Sequence, residues 1–335
     1  FVADKLMRRI GLPGKAFIPL LVGFGCTVPA IMATRALDNR RDRIMASLLT
    51  PFMSCGAKLP VYTYLSLMFF PEKANLVVFS LYLIGIALAL LSGLLLKKTV
   101  FRTKTAEFVM ELPAYHLPTL NGVLIHTWHR LKDFILRAGK TILLVIALMY
   151  LLQMITVPTL SHQTARQPDS SESMPVTQLL GKVITPVFAP LGITSRNWEA
   201  AVALINGLFA KEAIVGSLQS LYPETANTPD QTISIREHFG NARTAFAYLL
   251  FILLYSPCLA ALTLLWKEHG RIWLIVSFVY MNWLAWAIAV LYYQISGFMA
   301  NPASALITIG LIVLSGGVMY LMLNLVGRMR KHVLS

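Results

Sequence analysis

Gly23-Phe24-Gly25-Cys26-Thr27-Val28-Pro29 is the stretch whose reading decides the fold of this chain. It is apolar enough to lie at membrane depth, yet its glycines and proline keep a helix from running through it undisturbed. A cysteine, a soft metal ligand, stands at the break. Two further windows repeat the combination: Pro51-Phe52-Met53-Ser54-Cys55-Gly56-Ala57-Lys58-Leu59-Pro60 and Tyr255-Ser256-Pro257-Cys258-Leu259. Non-helical backbone at that depth survives only when it is buried in protein or lines a water-filled cavity. Such breaks are where transporters build ion sites. The three windows imply a metal-ion transporter.

Composition requires the membrane. Of 335 residues, 56% are hydrophobic and only 13% are charged, well below the ~25% charged of a soluble domain. Segments 74–96, 141–157, 245–266, 272–295 and 303–326 approach the roughly 20 apolar residues needed to cross a bilayer. The expectation is an all-α polytopic membrane protein with no room for a sizeable soluble domain. Phe1 is neither an initiator Met nor the start of a signal peptide, so the chain is expected to be part of a longer protein. Three cysteines cannot all pair, and none sits in a polar loop, which argues against a disulfide framework. The net charge of +14 must be read by membrane side, and no nucleic-acid partner is expected.

Basic residues cluster at Lys5–Lys15, Arg35–Arg43, 97–140, Lys267 with Arg271, and Arg328–Lys331, which together hold 21 of the 29. Assigning these to the cytoplasm sets the orientation, with a cytoplasmic C-terminus. Segment 16–34 then has both ends on one side and is expected to be re-entrant. Segment 44–70 crosses outward, interrupted around Cys55 to Pro60, and 74–97 returns. Span 141–157 crosses outward again, and 198–221, flanked by weakly charged loops, is expected to be re-entrant from the other side. Span 245–266 crosses inward, interrupted at Pro257, and 272–295 crosses outward. Hairpin, broken span and plain span thus occur twice with opposite orientation, an inverted repeat whose site lies where the halves meet. The expected division is 1–97, first gate repeat; 98–140, interfacial linker; 141–197, linking span and external loop; 198–295, second gate repeat; 296–335, final helix and basic tail. Loops 161–177 and 223–235 read as exposed, and 126–136 as an interfacial helix.

Cys26 and Cys258 are the stronger candidate metal ligands, with Cys55 as a ligand or a lining residue. Met53 and Met32 are candidate thioether partners. A lone cysteine more often packs as a small hydrophobe; cysteines at breaks in both halves shift the balance toward ligation. In Ala210-Lys211-Glu212-Ala213 two charges stand inside an apolar segment. Each costs at least ~2.5–3.5 kcal/mol at bilayer centre, so Glu212 is expected to face a cation path. Lys58 either snorkels or donates to freed carbonyls. Thr27, Pro29, Ser54, Ser256 and Pro257 complete the expected path or gate. His126 and His129 share a helix face by spacing, more in keeping with an interfacial surface than a metal site. Asn197 reads as an N-cap. Gly139-Lys140-Thr141 lacks the first glycine and the strand of a phosphate loop, and no HExxH or GxSxG pattern exists, so catalysis has no support.

Taken together, Gly23-Phe24-Gly25-Cys26, Val28-Pro29-Ala30, Arg41-Asp42-Arg43 and Pro51 to Cys55 resemble the first gate motif of the FeoB-type ferrous iron transporters. Glu111-Leu112-Pro113-Ala114-Tyr115-His116-Leu117-Pro118 resembles their linker. Ala210-Lys211-Glu212-Ala213-Ile214-Val215-Gly216 and Tyr255-Ser256-Pro257-Cys258 resemble the second gate. The likeness extends over essentially the whole chain. It departs at Thr27, where Asn is expected, and at Lys58, where Arg is common. It implies a bacterial inner-membrane carrier of Fe²⁺, the transported substrate, with gate residues Cys26, Cys55, Cys258 and Glu212. It also implies an N-terminal GTPase domain using GTP and Mg²⁺ that this segment lacks, a FeoA-type small cytoplasmic partner, and a homo-oligomer. Two rival readings are an organic-solute carrier, nucleoside-like, in which Lys211 and Glu212 bind polar groups, and a non-transporting membrane receptor or scaffold.

Overall fold

The computed structural model describes residues 2–101, 119–125, 156–158, 173–175, 183–194, 197–222, 235–236, 239–298 and 302–329, with scattered positions from 127 to 147. The linker motif 111–118, His126, and most of span 141–157 and of loops 161–177 and 223–235 lie outside the described residues.

Twelve helices carry the described architecture. They are α1 (Val2–Ile10), α2 (Phe17–Gly23), α3 (Thr27–Ala33), α4 (Arg40–Leu49), α5 (Leu59–Phe69) and α6 (Ala74–Thr99). After the linker come α7 (Trp198–Phe209), α8 (Ala213–Leu221), α9 (Ala242–Leu254), α10 (Leu259–His269), α11 (Arg271–Ser296) and α12 (Pro302–Met329). Among the described residues, five stretches are long and apolar enough to cross a membrane: Arg40–Phe69, Ala74–Thr99, Ala242–His269, Arg271–Ser296 and Ala305–Met329. The protein is an all-α polytopic membrane protein.

Two of these spans are broken, and their segment lengths put the breaks near mid-depth. Helices α4 and α5 have 10 and 11 residues, and α9 and α10 have 13 and 11. At 1.5 Å per residue each covers roughly half of a hydrocarbon core about 30 Å thick. Between α4 and α5 the chain passes through the 3₁₀ turns Thr50–Phe52 and Gly56–Lys58, with Met53 and Cys55 extended. Pro51 and Pro60 occupy first-turn positions, where the missing N–H costs nothing. Pro29 does the same within α3, so the interruption of the first pair lies upstream of it. The break is at Phe24–Cys26, where Cys26 is extended at φ −156° and ψ 134°.

The two short-helix pairs are hairpins that enter from opposite ends. Lys15 and Asp38 flank the α2–α3 pair and approach to 3.5 Å, so its two ends return to one level. Arg35 pairs with Glu268, Lys97 Nζ donates to Arg9 O at 3.0 Å, and Gly327 abuts Thr99 and Val100. Described residues from all five basic clusters or beside them therefore meet at one end of the molecule. The α7–α8 pair closes at the other end. There Glu199 and Tyr222 are in electrostatic contact, and Tyr222 packs on Phe239, which packs on Phe69 at the far end of α5. Hairpin, broken span and plain span recur in opposite senses.

Two expectations need correction. Residues 156 and 157, read as the end of a span, belong to β1 (Thr156–Pro158), which pairs antiparallel with β2 (Ser173–Pro175). β-branched Thr156 and Val157, followed by Pro158, suit a short edge strand better than a helix end. Asn197 occupies the N-cap position of α7, but its Oδ1 accepts from Thr194 N at 2.7 Å, upstream of the helix it was expected to cap.

Candidate functional site

Four helix breaks converge in the interior and are tied together by three hydrogen bonds. Gly56 N donates to Gly25 O at 3.1 Å, joining the break of the first hairpin to that of the first broken span. In the second half, Lys211 Nζ donates to Ser256 O at 2.8 Å, joining the corresponding pair. Lys58 Nζ donates to Leu253 O at 2.7 Å and to Pro51 O at 3.4 Å, and so links the two broken spans across the halves. Breaking a helix frees carbonyls, and a freed carbonyl away from water must find another donor. In a continuous helix Leu253 O would accept from residue 257, but Pro257 has no N–H. Lys58 supplies that donor.

Both lysines are 3% exposed. Lys58 does not snorkel; of the two expected roles the structure selects donation to carbonyls. Lys211 Nζ also lies over the Tyr255 ring, 3.0 Å from its centroid, a cation–π contact that helps to hold a buried cationic group.

The three thiols are free and each is half-buried. Cys26 lies within electrostatic reach of Cys258, Cys55 and Glu212, and Lys58 and Lys211 each lie within reach of Cys55 and Cys258. The structure therefore brings together Cys26, Cys55, Cys258, Lys58, Lys211 and Glu212, drawn from all four breaks. Glu212 is exposed at the N-terminus of α8, where the helix dipole favours a carboxylate. It stands at the break of the second hairpin and lies within electrostatic reach of Cys26.

The other expected residues are buried or half-buried around these breaks. Ser54 and Ser256 are 2% and 0% exposed, and Thr27 and Pro257 are buried. Pro29 is half-buried in the first turn of α3. Met53 is 5% exposed and packs its Cβ and Cγ against Gly23. Among the described residues no three His, Cys, Asp or Glu side chains close into a metal cluster.

Several participants are not evident from motifs. Tyr255 stands in a quoted window, but only the fold puts its ring beneath Lys211. Asn206 Nδ2 donates to Ser217 Oγ at 2.8 Å and pins α7 to α8 behind the second hairpin break. Ser54 Oγ and Tyr62 OH lie 3.4 Å apart behind Cys55. Gly85 of α6 faces Phe52 O so closely that a Cβ there would lie 2.9 Å from it. An isolated glycine in an apolar span carries no sequence signal for that approach.

Comparison with known proteins identifies this architecture. A family model described as nucleoside recognition, the gate model, matches residues 1–68 and 135–272. The model of the ferrous iron transport protein B C terminus matches residues 78–130. The Fe(2+) transporter FeoB of Salmonella typhi is 37% identical over an alignment of 382 positions, covering 99% of this chain and 48% of the relative. That of Escherichia coli K12 is 36% identical over 363 positions, covering 94% of this chain and 46% of the relative. The chain spans about half the length of the curated relatives it matches. No solved structure matches it. Paired breaks, opposed hairpins and matches along nearly the whole chain place this protein in the FeoB family of ferrous iron transport proteins, of which it comprises the gate and C-terminal membrane regions.

Proposed function

We propose that this chain forms the membrane path of a ferrous iron carrier, with Fe²⁺ passing between Cys26, Cys55, Cys258 and Glu212. One observation carries the reading: three thiols from three separate helix breaks lie within electrostatic reach of one another. A scaffold has no evident need to gather thiols from separate breaks. Thiolate and carboxylate together suit a transition metal, and Fe²⁺ sits low in the Irving–Williams order. A loose set of ligands fits transport better than a closed cage, because a carried ion must also leave. Residues 1–97 and 198–295 are the two gate units; 98–140, 141–197 and 296–335 link and complete them.

The wider assignments rest on the resemblance read in the gate and linker motifs. The full-length protein sits in the bacterial inner membrane with the basic end and C-terminus in the cytoplasm. GTP hydrolysis in an N-terminal GTPase domain, with Mg²⁺, drives gating, a FeoA-type protein assists, and copies of the chain assemble. The basic end of the fold, where described residues of the Lys and Arg clusters gather, supports that orientation.

The test is uptake of radiolabelled Fe²⁺ into vesicles bearing the full-length protein, with and without GTP. Loss of uptake in Glu212→Ala at normal abundance supports the path, and wild-type uptake opposes it. The description of the gate model as nucleoside recognition favours one rival, an organic-solute carrier. Protection of Cys26 and Cys258 from a thiol reagent by Fe²⁺ and not by a nucleoside separates the two.

A further inference from the structure

Of the three bonds that join the helix breaks, one crosses between the inverted halves. Lys58 belongs to the broken span of the first half, and its acceptor, Leu253 O, ends α9 in the second. The remaining two bonds, Gly56 N to Gly25 O and Lys211 Nζ to Ser256 O, each stay within one half. The crossing bond meets a need created by sequence: Pro257 removes the N–H that would have capped Leu253 O, and Cys258 follows directly. Lys58 itself stands three positions after Cys55. The bond thus runs between two backbone segments that each carry a path thiol.

We propose that Lys58 is a positioning residue that sets the separation of the two halves of the path, capping Leu253 in trans so that Cys258 is held beside Cys55 and Cys26. The inference rests on the reading of the thiols as an ion path. Because the acceptor is a backbone carbonyl, its position depends on the break and not on the side chain of Leu253. The donor's requirements are reach and an N–H directed at that oxygen. An arginine has both; a methionine of similar length has only the reach. Loss of the bond frees the second half to shift against the first and disperses the thiols without removing any ligand.

The experiment is a Cd²⁺ titration of the full-length protein in detergent, followed by the ultraviolet thiolate-to-metal charge-transfer band. Cys26→Ser and Cys258→Ser serve as references. Absence of a saturable, cysteine-dependent band in the wild type would sink the path reading itself. With the band present, Lys58→Met is expected to weaken Cd²⁺ about tenfold, the change that loss of one hydrogen bond to a charged donor produces. Lys58→Arg is expected to restore affinity to within about threefold of wild type, since its guanidinium donates to the same carbonyl. Wild-type affinity in Lys58→Met, or equal loss in the Met and Arg variants, overturns the proposal. Should Lys58→Met fail to accumulate, Lys58→Gln takes its place: its N–H is on too short an arm to span the gap, and the same tenfold loss is expected. Wild-type affinity in Lys58→Gln is equally fatal.

Discussion

Arg35 and Glu268, 233 positions apart in sequence, form an ion pair at the basic end, with Arg35 Nε donating to Glu268 Oε2 at 3.0 Å and a second, parallel contact beside it. Next to it, His269 Nε2 and Ser47 Oγ lie 2.8 Å apart, and Ser47 Oγ is 3.0 Å from Thr34 Oγ1. The exit of the first hairpin is thereby bound to the end of the second broken span.

The pair's energetic weight is small because both partners are partly solvated, at 48% and 17% exposure. Arg35→Gln is expected to lower stability by less than ~1 kcal/mol, as exposed pairs do. The charge-reversed double variant Arg35→Glu with Glu268→Arg should recover most of that loss. Thermal unfolding in detergent at two ionic strengths checks both, with the difference shrinking at high salt.

Close approach at Gly85 should be far more demanding. A Cβ at that position would lie 2.9 Å from Phe52 O and 3.3 Å from Leu253 Cδ1, between the two broken spans. Gly85→Ala is expected to destabilise by about 1–3 kcal/mol through overpacking. A Cβ at Gly216 in α8 would meet no atom within 4 Å, so Gly216→Ala should be neutral or stabilise by about 0.5–1 kcal/mol through helix propensity. Paired melting measurements decide it; equal effects would remove the steric argument.

Cys26→Ser and Cys258→Ser should each reduce Fe²⁺ uptake by about tenfold or more while leaving protein abundance near wild type, because a hydroxyl replaces a soft ligand at nearly constant volume. Wild-type uptake by both single variants and by the double variant would refute the role. Cys55→Ser serves as the graded comparison, with a smaller loss expected if that thiol only lines the path.

Glu212→Gln removes charge and preserves size at an exposed position, so folding should be unaffected. Uptake is expected to fall about tenfold, as one charged ligand is lost from a site that collects cations. Uptake measured at low and high external Fe²⁺ separates weaker capture, which saturating metal overcomes, from slower passage.

Much of this architecture is legible in the chain because membrane insertion leaves few options. Hydropathy locates the plain spans α6, α11 and α12, and the clustering of Lys and Arg gives the common end that Lys15–Asp38, Lys97–Arg9 and Arg35–Glu268 display. The breaks follow from Gly, Pro and Cys within apolar runs. Legibility is weaker where the signal is local and short: the first strand of the β1–β2 ladder reads as the end of a span, and the side chain of Asn197 turns to Thr194 instead of its helix. In both places the choice depends on what neighbouring backbone offers, which a window of residues does not contain.

The sequence by itself determined that this protein crosses a membrane, where its helices break, and that each half carries at least one thiol at a break. The bilayer enforces those features residue by residue, through the cost of exposed charge and of unsatisfied backbone. Only the tertiary structure decided which donor meets which freed carbonyl: Lys58 with Leu253, Lys211 with Ser256, Gly56 with Gly25. A carbonyl released by proline can be satisfied by any donor within reach, and reach is set by how the two halves pack, not by distance along the chain.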